Sequence, residues 1–367
     1  MNAAVFDFAV VGGGPAGLAA CTLLAAGGAR VLLVDAAKAA GFKAGEFIQP
    51  KVKSFLGQLA ILPDGWAGVH LPVHGFVNGW ASNAPQETDF IFDPNGHALS
   101  LDRRLFEEQL LAAARNRGVE TRLGWTARDI QQAGNSGWRL FLQTGNDTVR
   151  CDARYLVLAT GRSNIPLLRI DRRKFDRLTF VAVRLPIPVA DTRPFIECFD
   201  RGWVYATPVP GNAWIIYVFF DIQLGLPFRR SLGSLREELK DCSRLSKFLD
   251  EIPEGQSDKL EWFSGTAHSG LADKTIGPDW CLLGDLAESR DPLSASGIFS
   301  SVRDASRMAE CLLSGRLADK AHQERDAERA QLFADYLSNR HRYYAEETRW
   351  SGLPFWSGKG GFVGDSP

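Results

Sequence analysis

Near the N-terminus, Gly12-Gly13-Gly14-Pro15-Ala16-Gly17 sets three glycines at G-x-G-x-x-G spacing between an apolar strand, Val5 to Val11, and a helical stretch, Leu18 to Ala26. Strand, glycine turn and helix in this order form the fingerprint that binds a dinucleotide pyrophosphate. Gly12 permits the tight turn, Gly14 lets backbone approach the pyrophosphate, and Gly17 lets the helix pack on the strand. The helix start adds free N–H groups and a positive dipole end, and Pro15 sits where a missing N–H costs nothing. A second apolar strand, Arg30 to Val34, ends at Asp35, about twenty residues downstream, where a carboxylate can accept hydrogen bonds from a ribose 2′-OH.

These residues need a scaffold. The 367-residue chain, 45% hydrophobic, can build one large domain or two joined ones, each with a core. A formal net charge of -1 gives no electrostatic reason to expect nucleic acid or anionic lipid as partner. Cys21, Cys151, Cys198, Cys242, Cys281 and Cys311 form no Cys-x-x-Cys pair, so they read as reduced core thiols rather than zinc or dithiol sites. His70 and His74 are separated by Pro72 and receive no metal role. Met1 to Asp7 lacks the pattern of a secretory signal, and no run approaches the roughly 20 apolar residues that span a bilayer. A cytoplasmic protein without membrane insertion is expected.

Two further segments narrow the cofactor. The apolar strand Trp280 to Leu283 leads into Gly284-Asp285, then Asp291-Pro292-Leu293-Ser294-Ala295-Ser296-Gly297-Ile298 and a helical stretch to about Leu313. This resembles the second FAD motif of flavoprotein hydroxylases, which implies Asp285 as ligand of the ribityl chain and the Pro292, Ser296, Gly297 and Ile298 segment beside the isoalloxazine. Tyr155 to Ala159, with Thr160 and Gly161, resembles the strand of the same superfamily that crosses back under FAD. The expected class is therefore α/β, with a glutathione-reductase-type FAD-binding Rossmann domain, an inserted β-sheet substrate domain and a helical C-terminus. The expected boundaries are 1–68, 96–166 and 272–318 for the discontinuous FAD domain and 69–95 plus 167–271 for the substrate domain. Residues 319–367 form the C-terminal helical region, with a mobile glycine-rich tail from Ser357. Within the substrate layer, Thr179 to Val183 and Ala213 to Phe220 read as strands from their β-branched and aromatic content. The basic run Arg162, Arg169, Arg172, Arg173, Lys174, Arg177 reads as a solvated surface loop.

Gly79-Trp80-Ala81-Ser82, Asp89 to Gly96 and Leu101-Asp102-Arg103-Arg104-Leu105-Phe106 together are similar to the halogenase-like branch of flavoproteins. Within it they resemble the flavoprotein modifying enzymes of tryptophylquinone-containing oxidases and dehydrogenases. The resemblance implies that Arg103 contacts FAD and that Glu46, in Gly45-Glu46, lies near the flavin. Tyr343 to Trp350 with Phe355-Trp356 resembles the end of the same branch, although its arginine pair is replaced by Ser357 and Gly358. Trp203-Val204-Tyr205-Ala206-Thr207-Pro208 matches only the outer residues of the tryptophan halogenases' Trp-x-Trp-x-Ile-Pro motif. No lysine occurs between Ser54 and Arg173 to serve halogenation, and Ser294 stands where those enzymes carry a glutamate.

The resemblance thus implies an FAD-dependent monooxygenase that hydroxylates a tryptophan of a quinoprotein precursor through a flavin C4a-hydroperoxide. With a single G-x-G-x-x-G, its electrons come from transiently bound NAD(P)H or a reductase. Trp80, Trp203 and Tyr205 are the expected walls of the substrate passage, with Ser294 and its neighbours shaping the pocket. A hydroxylase of a small aromatic or indole, an isoprenoid-type FAD reductase and an electron-transfer flavoprotein remain the alternatives.

Overall fold

The computed structural model describes residues 5–39, 43–61, 66–82, 84–134, 137–163, 170–252, 260–315 and 319–360. The chain divides into two compact units, one of Met1–Val69, Asp102–Lys174 and Gly270–Phe333, the other of His70–Leu101, Phe175–Ser269 and Ala334–Pro367.

The first unit is built on a mixed sheet of seven strands. Strand Val5–Val11 lies between Val31–Asp35 and Asp147–Leu158, parallel to both. Glu120–Leu123 extends the sheet on one side, and Trp280–Leu282 pairs parallel with the end of Asp147–Leu158. Trp138–Thr144 and Thr126–Gln132 continue it antiparallel. The parallel strands are continuous apolar runs because both faces are covered: Ala9, Val10, Leu32, Leu33, Leu156 and Val157 are wholly buried. Helix Pro15–Ala26 begins with Pro15 in its first turn and buries eight of its twelve residues, as a helix that is apolar all round must. Helices Arg103–Asn116 and Gly297–Leu313 pack against it. The former is capped by the Asp102 carboxylate, which accepts the Leu105 N–H at 3.0 Å.

The second unit centres on another seven-stranded sheet, ordered Glu261–Thr266, Leu178–Leu185, Ala213–Asp221, Gly202–Val209, Phe195–Phe199, Gly75–Gly79, Gln86–Asp89. Every neighbouring pair is antiparallel except Phe195–Phe199 with Gly75–Gly79. Period-two alternation gives the sheet two different apolar faces. Val181, Val183, Val204, Ile216 and Val218 share one core with Leu232, Leu235, Leu245 and Leu249 of the short helices Leu232–Glu238 and Ser243–Asp250. The alternate positions form an aromatic ladder: Trp203 stacks on Phe219 at 3.9 Å, and Tyr217 packs against Phe219 and Phe180 at 5.9 and 5.4 Å.

The C-terminal segment of this unit is locked onto the sheet through indole N–H groups, which need acceptors once buried. Trp203 Nε1 donates to the Tyr344 hydroxyl at 2.9 Å, Trp80 Nε1 to the Tyr343 carbonyl at 2.8 Å, and Trp356 Nε1 to the Phe199 carbonyl at 2.9 Å. Trp80 also meets Tyr344 and Trp356 edge to face at 5.3 and 5.6 Å. The buried Glu347 carboxylate accepts the Arg349 Nε–H at 2.9 Å, which compensates its charge. The tail expected to be mobile from Ser357 instead continues helix Pro354–Gly360, because buried Phe355 and Trp356 anchor it; residues 361–367 lie outside the described part. No helix among the described residues is long and apolar enough to cross a membrane.

The described cysteines are free thiols, and burial pushes those of Cys21, Cys198, Cys242 and Cys281 up, while Cys311 is partly exposed. In the native protein Cys311 is therefore expected to react first with a thiol-specific disulfide reagent, followed by mass spectrometry. Trp356→Ala should cost about 3–5 kcal/mol in urea unfolding, the range for emptying a large aromatic site. Leu353→Ala, at a more exposed position, should stay within about 0.5 kcal/mol.

Candidate functional site

The glycine turn is shaped by what each glycine touches. A Cβ on Gly12, whose φ is +112°, would lie 2.3 Å from the Ala159 carbonyl oxygen, and one on Gly17 would lie 1.9 Å from the Gly12 oxygen. Helix and strands therefore meet at a distance only glycine allows. Gly14 differs, because a Cβ there would meet nothing within 4 Å. It precedes a helix whose first turn has no side-chain cap and whose Ala16 and Gly17 amides have no preceding intrahelical carbonyl to bond. At the end of Val31–Asp35, one Asp35 oxygen accepts the Gly13 N–H and the other accepts the Ala37 N–H at 2.7 Å. Gly12, Gly14, Pro15, Ala16, Gly17 and Asp35 are thus brought together around one open cradle.

Thr160 and Gly161 follow strand Asp147–Leu158. Thr160 Oγ1 donates to the Ser163 carbonyl at 3.1 Å, and Gly161, at φ +67°, has open space where a Cβ would stand. Gly284, at φ +61°, turns the chain after Trp280–Leu282, and its N–H donates to Asp304 at 3.3 Å. Asp285 then pairs with Arg162, Nε to Oδ2 at 3.1 Å, while Arg162 Nη2 reaches the Arg290 carbonyl at 3.2 Å. Arg172 Nη2 donates to Ser289 Oγ at 2.6 Å. Burial lowers the Arg172 pKa from its ordinary value and the nearby Arg162 charge lowers it further, against the opposing pull of Asp285. The reading of this basic run as a solvated loop is therefore corrected for Arg162 and Arg172, which tertiary neighbours draw inward; Arg169 lies outside the described residues. Arg162 is a site residue that spacing did not reveal.

Arg103 opens helix Arg103–Asn116. Its Nη1 donates to the carbonyls of Ala44 and Gly45, the latter at 3.0 Å, and its Nη2 to Glu107 at 2.8 Å. Glu107 is buried and also pairs with Lys43 at 2.5 Å. The i,i+4 spacing of Arg103 and Glu107 on the helix suits this ion pair. Glu46 is 2% exposed and accepts the Gly45 N–H at 3.2 Å, so Arg103 and Glu46 meet at the Gly45 turn, where φ is +97°.

The segment 292–298 is a short 3-10 turn, Pro292–Ser294, followed by Ala295 in the left-handed region at φ 45°. Ser296 then precedes helix Gly297–Leu313 without a side-chain cap, and the exposed Ser294 hydroxyl meets that of Ser296 at 2.7 Å. Ile298 is buried.

In the second unit, Trp80 and Trp203 are 7% and 1% exposed within the C-terminal aromatic cluster. Their rings pack on the sheet among these aromatics. Tyr205 is half-buried, on the same strand face as Trp203, with its ring 6.2 Å from Tyr217.

The residues present fit an FAD. An open glycine cradle stands at a helix start beside a carboxylate, and further open glycines lie at Gly161 and Gly297. The chain has the fold of flavin-dependent oxidoreductases of the halogenase-like kind. Residues 10–59 match the NAD(P)-binding Rossmann-like domain family. LodB of Marinomonas mediterranea, assigned as an FAD-dependent oxidoreductase, is 26% identical over 366 residues, 97% of each chain. Among solved structures, the peptidyl tryptophan dihydroxylase QhpG, essential for tryptophylquinone cofactor biogenesis, superposes with TM-score 0.77 at 23% identity over 99% of this chain and 80% of its own. The flavin-dependent halogenase CmlS gives TM-score 0.78 at 20% identity over 98% of this chain and 68% of its own.

Gly14→Ala and Gly17→Ala separate the cradle from the scaffold. Gly14→Ala should keep the wild-type melting curve to within about 1 kcal/mol, since a helix N-cap tolerates the exchange at that cost, yet purify with a much lower flavin-to-protein absorbance ratio. Gly17→Ala should fail to fold, shown by loss of the cooperative circular-dichroism transition.

Proposed function

We propose that this protein is an FAD-dependent monooxygenase that hydroxylates a tryptophan side chain of a partner polypeptide during tryptophylquinone cofactor formation. The observation that carries the reading is the likeness over 99% of the chain to a peptidyl tryptophan dihydroxylase. The halogenase neighbours share the fold, but Ser294 occupies the position of their substrate-side glutamate and no lysine stands between Ser54 and Arg173.

In this reading Gly12, Gly14 and Gly17 with the start of helix Pro15–Ala26 hold the pyrophosphate, Asp35 a ribose, and Asp285, braced by Arg162, the ribityl chain. Arg103 fixes the Ala44-Gly45 backbone and so the placement of Glu46. The backbone N–H groups around Ser294, Ser296 and Gly297, with Pro292 and Ile298, shape the flavin pocket, with Thr160 and Gly161 at the crossing strand. Bound FAD, reduced by NAD(P)H or a reductase, supplies the electrons and the activation of O2. The chain's part is to exclude water and present an electron-rich indole edge, with Tyr205 offering aromatic surface. No side chain is asked to act as nucleophile or metal ligand. Cytoplasmic modification of a quinoprotein precursor follows from the same reading.

The test is peptide mass spectrometry of proteins captured by the tagged enzyme from its native extract, compared with an extract lacking it. One partner is expected to carry an oxygenated tryptophan only where the enzyme is present. Unchanged tryptophans in every partner, or brominated products when bromide is supplied, would overturn the proposal.

A further inference from the structure

The seven-stranded sheet of the second unit ends at Gln86–Asp89, and the four residues of that strand are all exposed. Its one partner among the described residues is Gly75–Gly79, so alternate N–H and C=O groups along its other side point to an open edge. Edge strands are ordinarily blunted by shortness, charge, proline or a bulge. This one is short, follows Pro85 and is guarded by the carboxylates Glu87 and Asp89 rather than by lysine, and it pairs in regular register with its neighbour, so it resists strands of like charge and stays open to a basic one.

The turn that follows holds the two most exposed large hydrophobic residues among those described, Ile91 at 75% and Phe92 at 92%. Their exposure is imposed by the turn itself. Phe90 N–H donates to the His74 carbonyl at 2.7 Å, Ile91 N–H to Asp89 Oδ1 at 2.9 Å, and Asp93 N–H to the Phe90 carbonyl at 2.9 Å. Asn95 N–H and Gly96 N–H close the turn on Asp93, both at 2.8 Å. Adjacent large apolar side chains held out in this way offer a local apolar contact point beside the open edge.

Charge selects the occupant. Residues 86–97 carry Glu87, Asp89 and Asp93 and no lysine or arginine. Arg193 from the neighbouring segment reaches Glu87 at 2.6 Å, but it is also held by Asp191 at 2.9 Å. A second copy of this strand would bring like charges together. A strand bearing lysine or arginine would complement them and could complete the ladder by β-augmentation.

We propose that the open edge of Gln86–Asp89, with Ile91 and Phe92 as apolar anchors, docks an extended basic segment of the protein substrate. The proposal rests on the reading above that the substrate is a polypeptide. It assigns to this part of the signature 89–96 a recognition role that cofactor binding does not use.

Two fluorescein-labelled peptides test it on the flavin-loaded enzyme, one alternating lysine and valine around a central tryptophan, the other with glutamate in place of lysine. The lysine peptide should bind, lose affinity as salt is raised, and protect amides within 86–97 from hydrogen–deuterium exchange. The Ile91→Asp/Phe92→Asp double variant should bind it at least about tenfold more weakly, as loss of central apolar anchors does. Ile222→Asp, at an exposed apolar position elsewhere, should not weaken it. Equal binding of both peptides, unchanged binding by the double variant, or protection confined to other segments would overturn the docking surface. The two readings fail separately. Wild-type oxygenation of the captured partner by the double variant removes the docking surface and leaves the monooxygenase standing. Docking of the lysine peptide at 86–97 without an oxygenated tryptophan in any partner does the reverse.

Discussion

The close approach of backbone at the first strand–helix turn is the constraint on which the first unit depends. Helix Pro15–Ala26 can lie against Val5–Val11 only because Gly12 and Gly17 have no side chains, with a Gly17 Cβ otherwise 1.9 Å from the Gly12 oxygen. The same approach brings Ala159, at the end of the crossing strand, against Gly12, so the two strands and the helix converge at one point. Everything placed around the cradle inherits its position from that contact, including Asp35, which ties back to Gly13, and Gly161.

A second set of constraints works through paired charge. Glu107 satisfies Arg103 and Lys43 at once, and Arg103 in turn holds two carbonyls of the Ala44-Gly45 turn. Asp285 and Arg162 brace each other, with Arg172 close enough for its charge to be felt. Pairs of this kind stabilise little by themselves, because desolvation offsets most of the attraction. Their effect is to set loop positions within the unit, which suits a protein whose reaction chemistry is supplied by a cofactor.

The second unit solves a different problem. Its sheet is apolar on both faces, so each must be covered. Short helices cover one with leucines, and on the other a ladder of rings is joined by the C-terminal aromatics. Buried indoles carry an N–H that gains from an acceptor, and those for Trp80 and Trp203 come from Tyr343 and Tyr344, far along the chain. The ladder thereby gains a defined geometry that hydrophobic burial alone would leave loose.

Local pattern sufficed wherever the deciding residues are neighbours in the chain. The runs at Val5 to Val11, Thr179 to Val183 and Ala213 to Phe220 coincide with strands, and an α/β dinucleotide-binding unit could be read from the order of strand, glycine turn and helix. The candidate site was legible as motif pieces, such as Gly12 to Gly17 and Gly284-Asp285, because each piece is contiguous. What joins the pieces was not legible. Arg162 and Asp285 are 123 residues apart, and Trp80 and Tyr343 are 263 apart. No periodicity encodes such pairings, so Arg162 read as a solvated arginine until packing set it against Asp285, and the acceptor of the Trp80 indole could not be named. The sequence by itself determined the element types and the glycine cradle, since these follow from local sterics and side-chain periodicity, while FAD as the cofactor was implied by the resemblance of contiguous motifs to those of known flavoproteins. Tertiary structure alone decided which charges are paired, which aromatics are enclosed and which strand edge stays open, because burial belongs to the assembled sheet and not to any residue's neighbours in the chain.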